Sequence, residues 1–490
     1  MSQSSQFGLI GQRRFGPFFA TQTLGAFNDN VFKNALVILV TFGIAGLSPE
    51  QINTWVNLAA GLFILPFFLF SATAGQIAEK YEKSRLIRAI KLGEIVIMLL
   101  GAIGLYLGSL GFLMGVLFLM GTQSALFGPV KYSILPQALR EEELVGGNAL
   151  VEAATFLAIL LGTLLGGWLI ARSQGVLGVS LCVLLVAVLG YAVSRSIPQS
   201  AAAAPELKID WNPVTETWRN FQFMRTNRTV FLSVLGISWF WLYGATFLSQ
   251  LPNYTKLYLG GNEEVVTLLL TVFSLGIGIG SLLCERLSGH KVEMGLVPLG
   301  SLGLTVFGID LYFAVPGLAQ TTGLGAAAFL AEAANHRVLW DLVLIGLFGG
   351  FYIVPLYAVI QTRSDPSHRS RIIAGNNILN ALFMVVSAIV AVLLLQAGLS
   401  IPELLLTVAL MNAAVAMFIY SLLPEYLMRF LVWMLIGLLY RIRARGLDQI
   451  PDTGAAIVTP THVSFVDALI LGGSVRRPIR FVMYHKIFRI

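Results

Sequence analysis

Twelve long, mostly apolar stretches divide this chain, at about 17–46, 54–78, 89–108, 110–135, 144–171, 176–197, 229–256, 265–284, 295–316, 339–362, 372–397 and 402–423. A helix needs roughly 20 such residues to cross the hydrocarbon of a bilayer. Inside that hydrocarbon only helices and closed barrels satisfy every backbone polar group. A barrel would read as short alternating segments. These runs are continuous instead, with many of the chain's 49 glycines inside them, as suits close helix packing. The expected fold class is therefore an all-α membrane protein. Composition agrees: of 490 residues 56% are hydrophobic and 12% charged, against about 25% charged in soluble domains, and mean hydropathy is +0.79.

The net charge of +7 invites a nucleic-acid reading, and its distribution argues against one. Basic residues gather in alternate loops: Arg13 and Arg14; Lys80, Lys83, Arg85, Arg88 and Lys91; Lys208, Arg219, Arg225 and Arg228; Arg286 and Lys291; Arg363, Arg369 and Arg371; Arg441, Arg443 and Arg445. The intervening loops at 48–53 and 109–111 have no Lys or Arg. This positive-inside pattern predicts a multi-pass membrane protein with both termini in the cytoplasm. The first apolar run is too long for a cleaved signal and lacks a small-residue cleavage site. Cys182 and Cys284 both fall within predicted spans and suggest neither a disulfide framework nor a metal site.

Six spans precede residue 198 and six follow 228. The expected domains are a six-helix bundle at 1–197, a cytoplasmic connector at 198–228 and a second bundle at 229–423. The connector opens with Pro198, Pro205 and Pro213, then runs through Trp211, Trp218, Phe221 and Arg225, which suggests a helix lying on the membrane surface. Past Pro424, the apolar stretch 426–440 is broken by Arg429 and followed by three arginines, so 424–450 is expected to be an interfacial helix and linker. Residues 451–490 change composition: a turn at 451–454, a short buried strand at 455–459, then Thr461-His462-Val463-Ser464-Phe465-Val466-Asp467. The halves echo each other. Gly147-Asn148-Ala149-Leu150-Val151-Glu152 opens the fifth span, and Gly375-Asn376-Asn377-Ile378-Leu379-Asn380 opens the eleventh. Matching position in the two halves is the mark of an internal repeat.

Charged groups inside membrane spans are costly and default to function. Span one carries Asn28, Asp29, Asn30 and Lys33, with Asp29 and Lys33 four apart on one helix face. They either neutralise each other or line a cavity and grip the opposite charges of a zwitterion. Lys131, near the end of span four, either snorkels to headgroups or binds a phosphate. Asn148 with Glu152, and Asn376 with Asn380, share matching faces of spans five and eleven; they line opposite walls of one cavity or supply helix-packing hydrogen bonds. Glu94 and Asp310 are lone acids that either carry a coupling cation or are paired structurally.

Two loops carry a further pattern, one running from Gly75 through Glu79 and Lys80 to Arg85, the other from Ser281 through Glu285 and Arg286 to Lys291. They resemble the signature loop of the major facilitator superfamily, Gly-x3-Asp-Arg-x-Gly-Arg-Arg, with Glu79 for Asp, Lys80 for Arg and Ser281 for the second Gly. The resemblance implies a twelve-helix fold of two six-helix bundles, with Gly75, Glu79, Arg85, Glu285 and Arg286 forming a cytoplasmic gate. The run Phe18-Phe19-x-Thr21-Gln22-x-Leu24-Gly25-Ala26-Phe27-Asn28-Asp29-Asn30-Val31-Phe32-Lys33 is similar to the first span of bacterial lysophospholipid transporters. The string from Thr461 to Asp467, followed by Arg477-Pro478-Ile479-Arg480-Phe481-Val482-Met483, resembles the start of a 2-acylglycerophosphoethanolamine acyltransferase/acyl-acyl-carrier-protein synthetase, with Thr461 where that family has Asn. The resemblance implies His462 as general base and Asp467 as the acid that orients it. The family's later blocks would fall after residue 490, so an incomplete α/β acyltransferase domain without activity is expected.

Together these resemblances imply a lysophospholipid transporter that moves lysophosphatidylethanolamine-type lipid from the outer to the inner leaflet by alternating access, for reacylation. A major facilitator exporter of drugs or small solutes is the rival, and a membrane-anchored enzyme the lesser one. The expected partners are the lysophospholipid, membrane lipid and, for a complete acyltransferase, acyl carrier protein as acyl donor. No nucleic acid and a monomer are expected. The carrier is expected to hold no cofactor, with proton or sodium coupling left open.

Overall fold

The computed structural model describes residues 5–43, 48–288, 296–315, 317–319 and 323–422, and beyond these 431–432, 435–436, 439–440, 442, 446, 449–451, 455–461, 463–464, 466–475, 479 and 482. The first six long helices are α1 (Gly16–Ile38), α2 (Pro49–Lys80), α3 (Lys83–Leu107), α4 (Leu110–Ser133), α5 (Leu144–Ile170) and α6 (Gly175–Ser194). An amphipathic connector helix follows, α7 (Pro213–Thr226). The second six are α8 (Arg228–Tyr254), α9 (Glu263–Ser288), α10 (Leu296–Phe313), α11 (His336–Arg363), α12 (Arg369–Gln396) and α13 (Ile401–Leu422). Eleven of these are long and apolar enough to span a bilayer. The remaining long one, α1, has 23 residues but carries Asn28, Asp29, Asn30, Lys33 and Asn34 in its middle. It is expected at 17–46; its regular winding ends at Ile38, and a wider π turn at Leu39–Gly43 follows.

Local chemistry sets several helix starts. Ser48 and Gln51 form a reciprocal capping box at α2, with Pro49 in the first turn. Asn212 caps α7 and Asn227 caps α8, each accepting two backbone N–H groups. Glu82 caps α3 through the N–H groups of Ser84 and Arg85, and it also accepts from Ser200 N of the connector at 2.9 Å. Burial works to raise the Glu82 carboxyl. The hydrogen bonds from Ser200, Ser84 and Arg85 outweigh it and hold the group below its ordinary range.

In the first bundle α1 packs on α5 and α6, α2 on α4, and α3 on α4 and α6. In the second, α11 packs on α9 and α10, α8 on α12, and α10 on α13. Gly162 and Gly166 let α5 lie directly on α1: a Cβ at either would collide with the carbonyl oxygen of Phe27 or Val31. The bundles meet along α2 with α12 and α5 with α9. In each contact the second span of one half meets the fifth of the other, the pairing an internal two-fold repeat demands.

Towards the C-terminus, 424–450 lies largely outside the described residues. Residues 455–461 are described and correct an expectation: they are exposed and form no strand. No partner strand lies beside them among the described residues, and an isolated strand has nothing to satisfy its backbone groups. A short helix, α14 (Val466–Ser474), follows.

Candidate functional site

A cavity of about 570 Å³ lies between the bundles, within the size range of small-molecule sites. Its walls come from α1, α2, α3, α4 and α5 on one side and α8, α11 and α12 on the other. The lining is divided. Towards the far end of the molecule, away from α7, it is apolar: Val37, Val56, Ala59, Phe63, Ile64 and Leu117. Deeper, towards the connector end, it carries Gln22, Asp29, Lys91, Lys131 and Glu152, with Asn377 and Asn380 opposite, among apolar groups such as Phe127 and Trp241, while Lys33 reaches to Phe63 at the boundary.

On α1 the lining positions are Gln22, Gly25, Ala26, Asp29, Lys33 and Val37, the three-and-four spacing of one helix face. Asp29 and Lys33 therefore reach the cavity as expected. Asn28 and Asn30 do not, because neighbouring residues on a helix are about 100° apart. Asn28 points into the bundle and donates to Glu94 Oε1 at 3.0 Å. Asn30 donates back to Ala26 O at 2.7 Å. Lys131 also departs from the snorkelling alternative: its ammonium lines the cavity and donates to Thr155 Oγ1 at 3.0 Å.

The charges fall into two kinds. Within the wall, Lys91 Nζ and Glu94 Oε2 are 2.6 Å apart and almost wholly buried. Glu94 also accepts from Asn28 and from Gln123 Nε2 at 3.2 Å, so it is paired and not a lone acid. Lys91, expected in a loop, is buried inside α3. Its place three residues before Glu94 was the available signal, since that spacing puts both on one helix face. The other four charges are held by neutral groups. Asp29 Oδ2 accepts from Ser124 Oγ at 3.1 Å. Lys33 Nζ sits 4.3 Å from the Phe63 ring centroid. Glu152 Oε1 accepts from Tyr132 OH at 2.6 Å, and Lys131 has Thr155. Among the described residues no ion pair within 4.0 Å joins Asp29, Lys33, Lys131 or Glu152 to an opposite charge.

The cavity floor is built one turn deeper. Tyr132 stacks on Tyr357 across the bundles, centroids 4.2 Å apart and planes 4° from parallel. Asn148 Nδ2 donates to Gln361 Oε1 at 2.6 Å, and Gln361 Nε2 donates back to Asn148 Oδ1 at 3.0 Å. Asn148 is thus a closure residue, not a lining one. Asn376 is likewise buried away from the cavity, while Asn380 lines it and accepts from Ser238 Oγ at 2.9 Å. Of each Asn-x3-polar pair, the second residue faces the cavity and the first is buried away from it. Gln361 and Tyr357 lie on α11, where an apolar run gave no sign of them.

At the connector end α2 and α12 are latched. Arg371 N donates to Glu79 Oε1 at 3.1 Å and its Nε to Oε2 at 2.6 Å. That backbone N–H lies in the first turn of α12, where intrahelical acceptors are missing and negative charge is favoured. Gly75 is required here: a Cβ would stand 2.7 Å from Ala374 Cβ and 2.9 Å from Arg371 Cα. The connector joins the latch. Glu216 Oε1 lies 3.6 Å from Arg371 Nη1 and Oε2 accepts from Arg219 at 2.8 Å, while the Phe223 ring covers the Arg371 guanidinium. Burial lifts the Glu216 carboxyl above its ordinary range, against the pull of Arg219 and Arg371. Arg371 read only as loop charge in the sequence. In the equivalent place of the other half, Glu285 Oε2 accepts from Gln6 N at 3.2 Å, and Gly146 lies directly beneath its carboxylate. Arg85 and Arg286 are exposed. Arg85 only approaches Glu82 at 3.8 Å, so neither contributes to closure in this state.

His462 lies outside the described residues. Asp467 Oδ2 accepts from the N–H groups of Val463 and Ser464, at 2.6 and 2.7 Å.

Two bundles around a central cavity, latched at one end, define a carrier. The chain belongs to the Major Facilitator Superfamily, whose pattern matches residues 18–331. Among relatives, it is 30% identical over 354 residues to the lysophospholipid transporter LplT of Serratia proteamaculans (strain 568), covering 71% of this chain and 79% of that one. To LplT of Escherichia coli O157:H7 it is 31% identical over 355 residues, again 71% and 79%. Solved structures share the fold. The E. coli fucose:proton symporter FucP superposes with a TM-score of 0.62 at 13% identity, covering 84% of this chain and 99% of that one. The human organic anion transporter MFSD10 gives 0.63 at 12%, covering 85% and 100%.

Proposed function

We propose that this protein carries a lysophospholipid of zwitterionic headgroup, lysophosphatidylethanolamine in the first instance, from the outer to the inner leaflet of an inner membrane. The observation that carries the reading is the divided cavity with two cations and two anions held apart. In a low-dielectric site opposite charges left unpaired are costly, and a ligand carrying both signs removes that cost. Lys131 and Lys33 supply cations for a phosphodiester; Asp29 and Glu152 supply anions for an ammonium. The apolar half around Phe63, Ile64 and Leu117 accepts a single acyl chain.

Alternating access follows from the two ends. In the present state the Tyr132–Tyr357 stack, the Asn148–Gln361 pair and the Glu79–Arg371 latch close the connector end, which the charge pattern assigns to the cytoplasm. Parting those contacts would release the headgroup to the inner leaflet. The likeness to LplT over 71% of the chain supports the substrate class.

The test is uptake by proteoliposomes containing the full chain. Labelled lysophosphatidylethanolamine should enter faster than diacyl phosphatidylethanolamine or a panel of soluble drugs. Preference for a soluble solute would favour the exporter reading. Undiminished lysolipid uptake by Asp29→Ala would remove that carboxylate from the mechanism.

A further inference from the structure

The connector helix α7 has two faces with different company. Glu216, Asn220 and Met224, at i, i+4 and i+8, are wholly buried against the α2–α12 latch. On the other side Val214 and Trp218 are 77% and 63% exposed, and Trp211, just before the Asn212 cap, is 72% exposed. Large exposed apolar groups in one stripe mark an interaction surface. Lys208, Arg225 and Arg228 are exposed around it, with Arg219 half-exposed, against the single exposed acid Glu206 in the segment. Tryptophan at the edge and arginine beside it suit the headgroup layer of an anionic leaflet.

The buried face is incompletely satisfied. Asn220 has no partner for its amide oxygen or nitrogen, and Glu216 Oε1 has no hydrogen bond. Buried polar groups are normally partnered, so this contact is one the molecule can release at little loss. Its position matters because Arg371 is held from two sides, by Glu79 on α2 and by Glu216 on α7. The segment before α7 is tied to α2 as well: Gln76 Nε2 donates to Asp210 O and Asp210 N donates to Gln76 Oε1, both at 2.8 Å. Ala204 N donates to Glu79 O at 2.9 Å. Movement of α7 therefore acts on both members of the latch.

We propose that the exposed face of α7 seats on the anionic lipid surface at the latch end, and that this seating holds Glu216 on Arg371, so that anionic lipid favours the closed latch. The inference stands on the latch geometry and is independent of which solute the cavity carries.

The experiment uses the full chain with Cys182→Ser and Cys284→Ser, and spin labels at Arg85→Cys and Arg363→Cys, exposed positions on either bundle at the latch end. Label separations are compared in nanodiscs of phosphatidylcholine alone and of phosphatidylcholine with phosphatidylglycerol. The short-distance population should rise about fivefold relative to the long one with phosphatidylglycerol, the scale of one or two basic groups at a charged surface. Trp211→Ser/Trp218→Ser/Arg225→Gln should abolish that response and reduce tryptophan quenching by brominated lipid. If that variant does not fold, Val214→Asp on the same exposed face must abolish the response. Glu216→Gln should keep the quenching and lose the response. An unchanged distance distribution in the unsubstituted face overturns the proposal, as does a lipid response retained by the triple variant, by Val214→Asp or by Glu216→Gln.

Discussion

The latch and the cavity bury similar chemistry and treat it in opposite ways. At the latch Arg371 is in direct contact with Glu79 and within 3.6 Å of Glu216. In the cavity Asp29, Lys33, Lys131 and Glu152 are kept from direct pairing and rest on Ser124, the Phe63 ring, Thr155 and Tyr132. The wall pair Lys91–Glu94 follows the latch pattern. Paired charges organise the fold, because each satisfies the other. Charges held by neutral groups retain their attraction for something else. The difference separates charges paired with one another from charges left to neutral groups, which a count of charged residues in membrane spans does not.

The comparison breaks most sharply at Arg371. Arg371→Ala leaves Glu79 buried and unpaired, at a cost of about 3–5 kcal/mol; thermal unfolding in detergent should show a large loss, partly recovered by adding Glu79→Gln. Gly75→Val attacks the same contact by bulk. Overpacking of about 1–3 kcal/mol should fall on the closed state alone, so spin-label separations across the connector end should lengthen while the fold persists. Asp29→Asn probes the other region: stability should change by less than about 1 kcal/mol or rise, since functional charges are often held at a cost to stability, yet lysolipid uptake should fall at least tenfold. A stability loss as large as that of Arg371→Ala would place Asp29 with the structural pairs and erase the distinction. Arg85→Ala removes an exposed ion pair with Glu82 and should shift stability by less than about 0.5 kcal/mol, with uptake unaltered.

Much of this was legible in the chain. The apolar runs foretold every long helix, since bilayer thickness fixes their length. The echo of residues 147–152 at 375–380 foretold that α5 and α12 occupy equivalent places. Glu79 was legible as a candidate because a short acid-and-base loop recurs after the second span of each half, and it contacts Arg371 of the other bundle. Legibility failed where partners come from distant helices. Asn28 looked like a cavity group, and its partner turned out to be Glu94 on α3, 66 residues away. Arg371 looked like one more positive-inside residue until α12 was set against α2. The segment 455–459 has strand-like composition, and composition supplies no neighbouring strand.

The sequence by itself determined that the chain is an all-helical membrane carrier of two related halves with charge in its interior, because the cost of exposed backbone and charge in hydrocarbon acts locally on each span. Which charges neutralise each other and which remain for a ligand was decided only by tertiary structure. Pairing depends on distances of a few ångströms between side chains up to 292 residues apart, and those distances are set by how the bundles pack.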